Sequence, residues 1–193
     1  MRLKGRKIGL AVTGSHCTLE NILPQMDNLI KEGAEVQVIL SESVLYTDTK
    51  FGKAKEWHQK FTQISGKPII TNIVQAEPIG PQKMFDCLVI APCTGNTIGK
   101  LANGITDGAV LMAVKAHLRN TRPVVIAVST NDGLGNNAKN IGELLNKKNI
   151  YFVPFSQDDP INKPNSIVAN LNLLVETVLA ALEGKQLQPL LDK

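Results

Sequence analysis

The chain has 193 residues and a formal net charge of +4, from 21 basic and 17 acidic side chains that are mostly interspersed. Its 43% apolar content suits a single globular domain spanning 1–193, whereas 4% aromatic residues is too few for a base-stacking nucleic-acid module. No apolar run approaches the roughly 18 residues needed to span a bilayer. The basic start Arg2, Lys4, Arg6, Lys7 runs into a strand without a signal-peptide pattern, so a cytoplasmic protein is expected.

Residues 8–12 are apolar throughout and read as a first strand. In the helix predicted over 19–30, Leu19, Ile22, Met26 and Leu29 recur at helical spacing, and Gly33 stands where a helix ends. A second strand is predicted over 36–40, then a helix over 53–64 with Trp57 and Phe61 on one face, closed by Gly66. Strands follow at 69–74 and 88–91, helices at 97–102 and 107–118, and a strand at 124–128. A helix near 141–147 leads to a sixth strand at 151–155. The last helix begins at Ile167, behind a cap at Asn165 or Ser166, and carries Leu171, Leu174, Val175, Val178 and Leu182 to Gly184. The tail, 185–193, is expected to be loose or to dock on a neighbouring protomer. Alternating strands and helices with near-continuous apolar strands predict an α/β fold: a doubly wound, mostly parallel six-stranded sheet covered on both faces.

Thr13-Gly14-Ser15-His16 links the first strand to the first helix. A glycine there admits close approach of a ligand, and hydroxyls beside a helix start suit a phosphate. The dinucleotide fingerprint needs more glycines than this turn has, and Ser15-His16 replaces the Lys-Ser/Thr of a P-loop. A mononucleotide phosphate fits better than NAD or ATP, and ordinary turn chemistry explains the turn equally well. Ser41-Glu42-Ser43 ends the second strand at the same edge, as phosphate donors or as a helix cap. Among the cysteines, Cys17, Cys87 and Cys93, there is no metal-ligand spacing, and Cys87 reads as a small core residue.

After the apolar run Cys87-Leu88-Val89-Ile90 the chain opens into Ala91-Pro92-Cys93-Thr94-Gly95-Asn96-Thr97-Ile98-Gly99-Lys100-Leu101-Ala102-Asn103-Gly104-Ile105-Thr106-Asp107. Hydroxyls and amides at the carboxyl edge of a parallel sheet stand where ligands bind. Asp107 doubles as an N-cap for the next helix, and Lys100 reads as a surface lysine. The run resembles the signature of the homo-oligomeric flavin-containing cysteine decarboxylase family, Ala-Pro-x-Thr/Ser-x-Asn-Thr-x-x-Lys-x-Ala-x-Gly-Ile-x-Asp. The resemblance implies a Rossmann- or flavodoxin-like three-layer sandwich with bound FMN. It implies FMN contacts from Thr13, Gly14, Ser15, Ser41, Ala91, Pro92, Thr94, Asn96, Thr97 and Ser129. It also implies a trimer or dodecamer, in keeping with the apolar stripe of the last helix and with Leu111, Met112 and Val114.

Two departures bear on the chemistry. Family decarboxylases carry a catalytic His before an Ile, ahead of an Asp that precedes the fourth strand; counting back from Asp86 reaches Pro78-Ile79. Their Pro-Ala-Met-Asn, after the fifth strand, is replaced by Ser129-Thr130-Asn131-Asp132-Gly133-Leu134-Gly135-Asn136-Asn137. A pyrrolidine ring supplies no proton, and His16, His58 and His117 stand elsewhere, the last two expected at the surface of amphipathic helices. With both motifs replaced, the chain is similar to family members that oxidise a small pyridine dicarboxylate together with a nicotinamide-binding partner. Asn131, Asn136 and Asn137 are then candidates for its carboxylates, since neutral amides donate to an anion at any pH. A decarboxylase or flavin prenyltransferase-like enzyme with other acid–base groups, and a non-catalytic structural partner, remain as alternatives.

Overall fold

In the computed structural model, which describes residues 1–192, most of the apolar runs take their place in one mostly parallel sheet. The elements are β1 (Lys7–Val12), α1 (Leu19–Lys31), β2 (Glu35–Leu40), α2 (Glu42–Tyr46), α3 (Ala54–Ser65), α4 (Ile73–Ala76), β3 (Cys87–Cys93), α5 (Gly95–Ala102) and α6 (Ala109–Leu118). They continue with β4 (Val124–Thr130), α7 (Ala138–Leu145), β5 (Ile150–Phe152), β6 (Phe155–Ser156), β7 (Ile167–Ala169) and α8 (Leu174–Leu182). β2, β1, β3 and β4 lie side by side and parallel. Beyond β4 its edge is shared. β5 runs parallel to Val124–Ile126, while β7 pairs antiparallel with Ser129 and Thr130 and carries β6 on its far side.

β1 and β3 are buried on both faces, which is why they read as unbroken apolar runs. α1 lays Leu19, Ile22, Met26 and Leu29 onto the sheet, and α3 adds Trp57 and Phe61. α3 ends where Gly66 turns left-handed at φ 62°, a conformation a side chain resists. The chain leaves β1 for β2 on one side and returns across β1 to β3 on the other. That reversal opens a crevice at the carboxyl ends of β1 and β3, the usual ligand position in open α/β sheets. Among the described residues, no helix is long and apolar enough to cross a membrane.

The structure departs from expectation where local pattern competed with long-range pairing. The strand expected at 69–74 shrinks to one bridge between Ile70 and Ile39. Asn72 then caps α4, its side-chain oxygen accepting from Gln75 N–H at 3.0 Å. The strand expected at 151–155 is divided at Pro154, which has no N–H for a ladder, into β5 and β6. Ile167 does not start the last helix: it belongs to β7, which covers the upper edge of β4 that short β5 leaves open. The sheet therefore has seven strands rather than six, and α8 begins only at Leu174. The tail pairs with its own chain, Phe155 N–H donating to Leu190 and Asp192 N–H to Phe155. Lys193 lies outside the described residues.

Three side chains also take unexpected places. Asp107 is not the cap of α6, which starts behind Gly108; it accepts from Lys100 Nζ at 2.7 Å. His117 is 1% exposed rather than on the surface, its Nε2 3.1 Å from the Pro123 carbonyl. Leu111 and Val114, two residues of the expected contact face between protomers, are buried within the chain.

Candidate functional site

The turn after β1 is stapled to the end of β3. Thr13, buried, donates its hydroxyl to the Pro92 carbonyl at 2.7 Å and accepts from Thr94 N–H at 3.0 Å. Pro92 thus serves through its carbonyl, and Ala91 is fully buried in the strand. Gly14 then passes directly over Ser43, whose hydroxyl a Cβ on Gly14 would overlap. Ser41 ends β2 in extended conformation, tied to β1 by its N–H to the Val12 carbonyl at 3.0 Å. Its hydroxyl is enclosed and has no partner. Thr94 caps α5: its Oγ1 accepts from Thr97 N–H at 3.3 Å and lies 3.0 Å from Thr97 Oγ1.

These ends enclose a cleft of about 440 Å³ that brings together Thr13, Gly14, Ser41, Thr94, Asn96 and Thr97. Glu42, Ser43, the Lys100–Asp107 ion pair and Gly108–Leu111 line it as well. Sequence reasoning missed the last group as lining, although it follows the signature run without a break.

Ser15 and Ser129 do not line this cleft. Ser15 Oγ is 2.9 Å from Ser129 Oγ and 3.0 Å from Thr18 Oγ1, and Thr18 Oγ1 is 3.2 Å from Ser129 Oγ. This hydroxyl triangle lines an adjoining cleft of about 400 Å³, which shares Gly14 and Thr94 with the first. His16 borders it, with Nε2 3.2 Å from Ser43 Oγ and an enclosed Nδ1 that bonds nothing. Partial burial lowers its pKa, favouring the neutral ring.

The three asparagines are not brought together. Asn131 borders the second cleft, while Asn136 is exposed and lines neither. Asn137 is buried, its Nδ2 2.9 and 3.0 Å from the Asp132 carboxylate oxygens and its Oδ1 accepting from Asn140 at 2.9 Å. Bonds from Thr130 and then Asn137 hold the Asp132 carboxyl below the usual carboxylate range. Pro78 occupies a 3₁₀ turn packed against α6 and borders neither cleft.

A sequence model of the flavoprotein family matches residues 1–182. The chain belongs to the flavoprotein family. It is a close homologue of the dipicolinate synthase B subunit of Bacillus subtilis, 52% identical over 189 residues that span 98% of this chain and 94% of that one. The crystal structure of the dipicolinate synthase B subunit from Bacillus halodurans superposes with a TM-score of 0.92 at 51% identity, covering 100% of this chain and 99% of the other. The FMN binding protein AtHal3 shares the fold at a TM-score of 0.65 and 22% identity, over 91% of this chain and 95% of that one.

In this flavoprotein the Asp132 network is seated on Gly95. A Cβ there would lie 2.5 Å from Thr130 Oγ1 and 2.7 Å from both Asn137 Nδ2 and Asp132 Oδ1. The loop after β4 and the start of α5 are therefore held in contact by an absent side chain. Gly95→Ala is expected to destabilise the fold by about 1–3 kcal/mol, since a saturated carboxylate network must give way. Urea denaturation checks this; an unchanged midpoint would show that the network yields freely.

Proposed function

We propose that this chain is the FMN-binding subunit of a dipicolinate synthase. In this reading it oxidises dihydrodipicolinate to dipicolinate with a nicotinamide-binding partner, the A subunit of that enzyme, in the cytoplasm of the mother cell of a sporulating bacterium. The observation that carries the cofactor is the enclosed Ser41 hydroxyl, unpartnered at the edge of the switch-point cleft. Buried polar groups are nearly always satisfied, and one left open beside a cleft points to a ligand atom. Ser41, Thr94, Asn96 and Thr97 offer short donors suited to a phosphate and to ribityl hydroxyls, Thr13 braces them through its bond to the Pro92 carbonyl, and Gly14 keeps the turn low enough for close approach. The N-terminus of α5 adds free N–H groups and positive potential behind Thr94. Bound there, FMN would supply an acceptor for one hydride, the two electrons of the oxidation. The Lys100–Asp107 pair borders the same cleft, as does the start of α6. Pro78 in place of a histidine speaks against decarboxylation of a cysteine substrate.

The substrate class rests on the 52% identity to the B. subtilis protein. Purified chain and its nicotinamide-binding partner, mixed with freshly generated dihydrodipicolinate, are expected to form dipicolinate only when both are present. The chain alone is expected to show flavin absorbance, and to release no carbon dioxide from a peptidyl or pantothenoyl cysteine. Dipicolinate formed no faster than by spontaneous oxidation would overturn the reading, as would colourless protein that binds no added FMN. A trimer or dodecamer is part of the same reading, and light scattering that finds a stable monomer of 20.9 kDa would remove it.

A further inference from the structure

Taking the proposed function as its basis, we infer that the adjoining cleft is the dicarboxylate subsite, with Lys163 and Asn131 as its carboxylate-binding residues. At about 400 Å³ it falls in the size range of small-ligand sites, roughly 300–1,000 Å³. Because it meets the first cleft at Gly14 and Thr94, a ring held in it abuts a flavin held in the other. Ile167 and Val168 supply apolar wall for such a ring, and Phe51 stands at the border.

The chemistry of the lining selects the anchors. Each hydroxyl of the Ser15–Thr18–Ser129 triangle has one hydrogen, and the three oxygens are close enough to use all of them on one another. The triangle therefore offers lone pairs more than donors. His16 has Nε2 on Ser43, and its enclosed, unpartnered Nδ1 adds at most one neutral contact. Two better donors remain. Asn131 is exposed at the border, and Lys163 is the one Lys or Arg in the lining among the described residues. The Lys163 ammonium is only loosely engaged, 3.6 Å from Asp158 Oδ2. Asp158 lines the same cleft, so Lys163 is the cation shared between that carboxylate and a ligand carboxylate. An ammonium and an amide on separate loops, in a cleft that also has apolar wall, suit two carboxylates on one small ring.

Titration calorimetry of the flavin-loaded chain with dipicolinate tests this, with the monocarboxylate picolinate for comparison. Dipicolinate is expected to bind more tightly than picolinate, and more weakly as salt rises. Lys163→Met and Asn131→Asp are each expected to weaken dipicolinate about ten- to hundredfold while flavin absorbance is unchanged. Both positions are exposed, so the fold tolerates either change, and Lys185→Met serves as the charge-loss control with parental affinity. Parental affinity in both site variants, equal binding of picolinate, or no binding of dipicolinate by the loaded parent overturns the assignment. Should the chain take up no FMN and yet bind dipicolinate with the same sensitivity to both variants, the cofactor reading fails and the subsite stands.

Discussion

Ser41→Asp is expected to lower FMN affinity at least about a hundredfold, because a carboxylate placed against a phosphate costs several kcal/mol in a partly enclosed site. The position separates ligand binding from folding unusually well. The Ser41 hydroxyl bonds nothing in the chain, and what ties the residue to β1 is its backbone N–H on Val12. Ser41→Ala therefore removes no internal hydrogen bond and is expected to leave the denaturation midpoint near that of the parent. It should still weaken FMN about two- to tenfold, the worth of one ordinary hydrogen bond. Gel filtration followed by the flavin absorbance spectrum, with fluorescence titration for affinity, reads both variants. Retention of FMN by Ser41→Asp at parental affinity would place the phosphate away from β2. A loss of stability in Ser41→Ala matching its loss of flavin would mean that the hydroxyl serves the fold instead.

The second large effect concerns acid stability and belongs to His117. Burial, opposed by the hydrogen bond to the Pro123 carbonyl, lowers its pKa to about 4, with Arg122 lowering it further and Asp86 raising it. In the unfolded chain the imidazole titrates at its ordinary value of 6.5. Between these values the unfolded state binds the extra proton, so stability is complete above pH 6.5 and falls as the pH drops toward 4. The full loss from this one group is about 3 kcal/mol. His117→Gln keeps a donor for the Pro123 carbonyl and has no proton to gain. Chemical denaturation of both proteins from pH 7 to pH 4 is expected to show a shallower decline for the variant. Parallel pH profiles would mean that the folded protein accepts a charged His117.

Much of the first cleft was legible in the chain. β1, β3 and β4 are mostly apolar runs, β2 is apolar but for Glu35 and Gln37, and each leads into small polar residues that a parallel sheet gathers at one edge. Thr13, Gly14, Ser41, Thr94, Asn96 and Thr97 do meet there. That result needs strand direction, which local pattern supplies, and the order β2, β1, β3, β4, which the sheet supplies. The Thr94 cap of α5 is also local, a hydroxyl facing an N–H three residues on.

What the tertiary structure alone decided involves partners far apart in the chain. Ser15 and Ser129 are 114 positions apart, and only their packing into one hydroxyl triangle places them at the adjoining cleft rather than in the first. Asn131, Asn136 and Asn137 look alike as loop residues. The turn around Asp132 buries Asn137, leaves Asn136 on the surface and turns Asn131 to the cleft. Ile167 fits the stripe of a helix, but pairing with the open edge of β4 satisfies backbone groups that a helix there would leave bare. His117 carries the polarity of a surface residue, and one carbonyl from the start of β4 permits its burial. Periodicity and caps are set by residues within a few positions of each other, so the sequence determines the strands, most helices and the polar edge. Which side chains face which cleft depends on contacts between distant segments, and those exist only once the sheet has assembled.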